Sequence, residues 1–159
     1  MPELLLAGGA VTPLCDGARV DGDLRAGRQM FEQAYRTGER KGDAEAMAVA
    51  VLGLAGPWVH EQRGAAATTQ MQARLRHVLA LVPAGSALAL RLRARLAGET
   101  DYCAGEYAAI LAVVEEARRS ADPVARVEAL SIAHQCLLGP DHGPLRRALA
   151  TERRRTIPR

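Results

Sequence analysis

The chain has 159 residues, enough for one domain with a core of several helices. Its residues are 48% apolar but only 3% aromatic, so the core must close through Ala and Leu rather than large rings. The net charge of +3 comes from the C-terminal end: six Arg and one Glu between Gly143 and Arg159 leave the rest slightly acidic, which excludes a basic nucleic-acid surface over the whole body.

Residues 1–22 hold four Gly and two Pro with little periodicity, and read as a loosely ordered lead-in. The start MPELLLAGGAVTPL carries Glu3 and no basic stretch, so it makes a poor secretory signal. A helical domain is expected over residues 23–150. Phe31, Ala34, Tyr35 and Gly38 share one helical face, and Gly42-Asp43 ends that helix and caps the next. Residues 44–55 are apolar nearly all round, which marks a helix buried between neighbours, and Gly56-Pro57 stops it. Residues 58–69 are the least regular internal stretch. Met71, Leu75, Val78 and Leu81 or Val82 mark the apolar side of a helix over 70–82, which Pro83 and Gly85 break.

Ser86 caps the next helix. The block LALRLRARL alternates like a strand, yet Leu88, Leu92 and Leu96 also align four apart, and it has no β-branched residue; helix is the better reading. After a turn at 103–105, a helix over 106–120 turns Tyr107, Ile110, Leu111, Val114 and Ala117 inward. Asp122 caps a further helix with Pro123 at its first position, running to about Leu138 with Val124, Val127, Leu130, His134 and Leu137 inward. A short last helix spans roughly 143–150, and 151–159 is expected to be a basic, frayed tail.

Two of these segments are copies. FEQAYRTGERKGDAEAMAVAVLGLAG and ILAVVEEARRSADPVARVEALSIAHQ superpose with Asp43 on Asp122, Arg40 on Arg119, Ala46 on Ala125 and Ala50 on Ala129, a spacing of 79 residues. With Ser86 between them, helix starts recur about every 40 residues, the size of a helical-hairpin repeat. No persuasive strand occurs. The expected fold is all-α: antiparallel helical hairpins stacked as a short α-solenoid of about six or seven helices.

The blocks AYRTGERKGDAEAMAVAVLGLAGPWVHEQR, LALRLRARLAGETDYCAGEY and ARVEALSIAHQCLLGPDH resemble a degenerate tetratricopeptide-like region of actinobacterial proteins, over about residues 24–150. That group includes large LuxR-type ATP-binding regulators and stand-alone relatives. The standard 34-residue pattern is not met, because the repeats here are longer and irregular. In the resembling proteins the last helix stays apolar after a sequence like LRRALA, whereas here Thr151, Glu152 and Arg153–Arg155 come next. That break points to a truncated or frameshifted end, or to a fragment of a longer chain, and an exposed end of the array favours dimerisation.

Candidate chemistry is sparse. Cys15, Cys103 and Cys136 are odd in number and lack CxxC spacing, which argues for a reducing compartment and, with no run approaching the roughly 18 apolar residues of a span, for a cytoplasmic protein. Trp58-Val59-His60-Glu61-Gln62-Arg63 holds the only Trp. It reads either as a ligand-facing lip or, preferably, with Trp58 as a wedge closing the gap after Gly56-Pro57. His134 and Cys136 point about 200° apart on a helix and cannot share a metal. Cys103 has no neighbour to lower its pKa. Glu115 and Glu116 diverge and should pair with Arg118, Arg119 and solvent. No phosphate-loop or nucleophile-elbow motif occurs. The Arg-rich tail lacks interleaved aromatics, so nucleic acid is not an expected partner.

The residues therefore point to a non-catalytic interaction module without cofactor or metal, whose partner is a protein, a peptide or a second copy. The resemblance implies the sensor or scaffold part of a transcriptional regulator. Surface residues expected to contact a partner are Tyr35, Arg36, Trp58, His60, Glu61, Arg63, Arg91, Arg95 and Tyr102. The alternative is a small-molecule-binding domain with a pocket near Trp58 and Tyr102. An enzyme comes last, and would need His60, Glu61 and His134 to cluster.

Overall fold

Asp43, Ser86 and Asp122 each start a helix by the same contact. Their side-chain oxygens accept the backbone N–H three residues on, at Ala46 (2.9 Å), Ala89 (3.1 Å) and Ala125 (2.8 Å), satisfying one of the donors a helix start leaves open. A computed structural model describes residues 24–59 and 64–157 of the chain. It contains helices α1 (Leu24–Lys41), α2 (Ala44–Ala55), α3 (Ala65–Leu81), α4 (Ala87–Ala104), α5 (Ala108–Arg119), α6 (Pro123–Cys136) and α7 (Gly143–Thr156), with a 3-10 turn at Pro140–His142. Among the described residues there is no strand, and no helix is long and apolar enough to cross a membrane.

The three capped helices have a common place. The backbone of α2 packs close on α4 and that of α4 on α6, in addition to their chain neighbours, whereas the backbones of α1, α3, α5 and α7 come close only to the elements next to them in the chain. α2, α4 and α6 thus form one close row. Small residues permit the approach. A Cβ on Gly98 of α4 would lie 2.2 Å from Ile132 Cγ2 of α6, and one on Gly53 of α2 would lie 2.2 Å from the Phe31 ring of α1. Gly42, with φ of 67°, makes the turn between α1 and α2 that the Gly-Asp pair predicts.

Two cores flank α4. Met47, Val51, Leu75 and Val78 build the first, and Ile110, Val114, Leu130 and Leu137 the second. α4 serves both: Ala89 and Leu92 enter the first, Leu90 and Ala94 the second. The strand-like alternation of 88–96 is therefore the pattern of a helix buried on two sides.

Three expectations shift. α3 starts at Ala65, so only part of the stretch 58–69 is irregular. Leu130 and Leu137 are buried as expected, but the rest of the buried face of α6 is Ala125, Ala129, Ile132, Ala133 and Cys136, while Val124 is 53% exposed. The close row selects the smallest side chains for the contact, and an inward face assigned by side-chain bulk misses it. α7 continues past Ala150 to Thr156. Glu152 holds Arg118 of α5 in a forked pair (3.0 and 2.7 Å), and Arg153–Arg155 fall in the last turn, where cations suit the negative helix end.

Candidate functional site

The close row leaves a groove of about 540 Å³ on one side. Its floor carries Arg91 and Arg95 of α4. Its walls are Phe31 of α1, Val49 and Leu52 of α2, and Val124, Glu128, Ser131 and Ile132 of α6. Counted from the caps, the ninth residue of each row helix lines it: Leu52, Arg95 and Ser131. Positions equally distant from the three caps thus line one groove.

Arg95 is only 3% exposed and its charge is fully occupied. Nε and Nη2 donate to Glu99 Oε1 at 3.0 and 2.7 Å, one turn along α4. Nη1 donates to the Gly56 carbonyl (2.6 Å), and Nη2 to the carbonyls of Ala55 (2.5 Å) and Trp58 (3.0 Å). These carbonyls belong to the end of α2 and the segment leaving it, where the helix dipole is negative and acceptors lack intrahelical partners. A planar fork of donors can serve several of them at once, which a Lys ammonium cannot do in the same geometry. Arg91 makes a bidentate pair with Glu128, both bonds 2.7 Å.

Gln135 of α6 grips the same segment from the other side. Its Oε1 accepts the Val59 N–H (2.9 Å) and its Nε2 donates to the Pro57 carbonyl (3.1 Å). Val59 is 3% exposed and enters the second core, whereas Trp58 is 51% exposed. The residue that closes the gap after Gly56-Pro57 is Val59, so the wedge reading of Trp58 is corrected: backbone bonds on either side turn the ring outward.

The nine expected contact residues do not converge. Arg91 and Arg95 line the groove, and Trp58 stands at its edge through the Arg95 bond to its carbonyl. Arg95 is nonetheless buried rather than on the surface. Tyr35 is also buried, packed in the first core with the Arg74 guanidinium 4.8 Å over its ring; burial raises its hydroxyl pKa. Arg36 is exposed and paired with Glu32 at 3.1 Å. Tyr102 packs half-buried against the second core and does not line the groove. His60, Glu61 and Arg63 lie outside the described residues. Glu128, Phe31 and Leu52 escape the sequence reading, although their distance from the caps marks Leu52 and the turn holding Glu128.

Arg91 and Arg95 are paired with Glu128 and Glu99, and Phe31, Val49, Leu52, Val124 and Ile132 give the groove most of its apolar lining. No group of three His, Cys, Asp or Glu that could hold a metal occurs among the described residues. Cys136 donates its S–H to the Gly98 carbonyl (3.6 Å), and burial pushes its pKa up to about 12. Glu115 pairs with Arg118, and Glu116 with Arg93 of α4. No family model, curated protein or solved structure matches the chain.

Proposed function

We propose that the protein is a non-catalytic, tetratricopeptide-like helical-repeat module that binds a protein or peptide segment along the groove of α2, α4 and α6. The groove itself carries the reading: apolar side chains of α1, α2 and α6 stand beside a floor carrying Arg91 and Arg95 of α4, whose charges are already paired with Glu128 and Glu99. Such a floor gives register and selectivity to a bound segment, and the walls supply the area. The resemblance to regulator regions supports a scaffold or sensor role. An enzyme is the least supported reading, because no nucleophile and base meet among the lining residues.

The test is selection of displayed peptides on the immobilised protein. Peptides enriched on the native chain should lose binding to Val124→Arg, which blocks the groove wall, and keep binding to Leu81→Arg, an equally exposed control on α3. They should also shift the emission of Trp58 at the groove's edge. No enrichment, or binding indifferent to Val124→Arg, would overturn the proposal. The groove's volume of about 540 Å³ also fits a small molecule. A ligand panel read by Trp58 emission tests that second reading.

A further inference from the structure

Several arginines are neutralised by carboxylates: Arg74 by Glu32, Arg91 by Glu128, Arg93 by Glu116, Arg95 by Glu99 and Arg118 by Glu152. Arg146 and Arg153 of α7 are in no ion pair with a described carboxylate. They sit two turns apart and so on one side of the helix. Between them lies Leu149, buried in the second core, which fixes that side of α7 against its neighbours. Arg153 Nη1 donates to Ser131 Oγ of α6 at 3.3 Å. The Arg146 Nε is buried and donates to no acceptor among the described residues.

His134 lies one turn beyond Ser131 on α6 and completes the cluster. Its pKa is lowered first by burial and then by the charges of Arg146 and Arg153. No described carboxylate forms an ion pair with Arg146, Arg153 or His134. Glu152 is committed to Arg118 by bonds of 3.0 and 2.7 Å, and Asp141 of the 3-10 turn forms no ion pair with Arg146, Arg153 or His134. α7 begins with no acidic residue in its first turn and no side-chain cap, so its positive end adds to the same potential.

Converging donors without a countercharge, one of them buried and unpaired, make a site for an anion. We propose that His134, Arg146 and Arg153 bind a phosphate dianion, free or singly esterified, at the seam of α6 and α7. The guanidinium groups donate from α7 and a protonated imidazole from α6, while the Ser131 hydroxyl, which donates to the Val127 carbonyl at 2.8 Å and accepts from Arg153, holds Arg153 in place. Ser131 also lines the groove, but the assignment does not rest on what the groove binds.

The experiment is calorimetric titration at low salt with inorganic phosphate and with O-phosphoserine, alongside NMR titration of the His134 ring. Arg146→Gln and Arg153→Gln should each weaken phosphate binding by about tenfold or more, the loss of one charge-assisted donor pair. Arg147→Gln and Arg154→Gln, exposed residues of the same helix, should change it by less than about threefold if only screened charge is lost. Bound phosphate should raise the His134 pKa, because the dianion offsets the two arginines. Should Arg146→Gln fail to fold, the exposed Arg153 still decides the matter. Tighter binding of either probe supports the site and tells the esterified from the free form. Equal weakening by all four variants would identify a diffuse basic surface and overturn the proposal, as would a His134 pKa unmoved by phosphate.

Discussion

Arg95 shows how one side chain can tie this chain together. It is buried and positively charged, and it holds the end of α2, the segment after it and Glu99 at once. Truncating it removes a donor from Glu99 and from three carbonyls at once. Arg95→Ala should therefore cost about 3–5 kcal/mol in urea unfolding, the range for breaking a buried pair. The double change Arg95→Met, Glu99→Leu should recover much of that loss, because it removes both charges together. The caps are worth less. Asp122→Ala should cost about 1 kcal/mol, and Asp43→Ala and Ser86→Ala similar amounts, each by the same assay. Thiol chemistry separates the two described cysteines: iodoacetamide should label the exposed Cys103 in the native state and leave Cys136, with its pKa near about 12, unmodified until unfolding.

At the scale of elements, the contact of α4 with α6 depends on what is absent at Gly98, and that of α1 with α2 on what is absent at Gly53. Ala at a helical Gly gains up to about 1 kcal/mol of propensity. At position 98 the new methyl meets Ile132 Cγ2, a branch next to a stiff helical backbone that cannot move alone. Overpacking of about 1–3 kcal/mol should win there, so Gly98→Ala lowers stability. At position 53 the obstacle is the far edge of the Phe31 ring, which can swing, and Gly53→Ala should cost less. Comparing the two urea midpoints checks the order. The same close packing explains why the buried face of α6 is not legible from bulk: Val124 and Val127 look like the core face, but proximity to α4 selects Ala125, Ala129 and Ala133. The cap positions, by contrast, are legible because a side chain bonding three residues ahead is purely local.

For the whole molecule, the helices outside the row are held differently. α1 reaches α3 through Glu32 and Arg74 (2.7 and 2.8 Å), and α5 reaches α7 through Arg118 and Glu152. Hydrogen bonds from Arg74 and Arg118 are the leading cause that holds the Glu32 and Glu152 carboxyls below their usual value of 4.5. A lowered folded-state pKa stabilises above the unfolded value and is lost as pH falls through the folded one. The urea midpoint should thus decline as pH drops below about 4.5, and decline less in Glu32→Gln, Glu152→Gln; both pairs are partly exposed, so added salt should shrink the difference. By itself the sequence determined the all-helical class and the three caps, because helix starts and periodicity are set by neighbours along the chain. Only the tertiary structure decided which helices form the close row, that Trp58 faces out while Val59 seals the core, and that Arg91 meets Glu128. Those outcomes depend on the distance between segments about 40 residues apart, which side-chain volume and charge pairing set together.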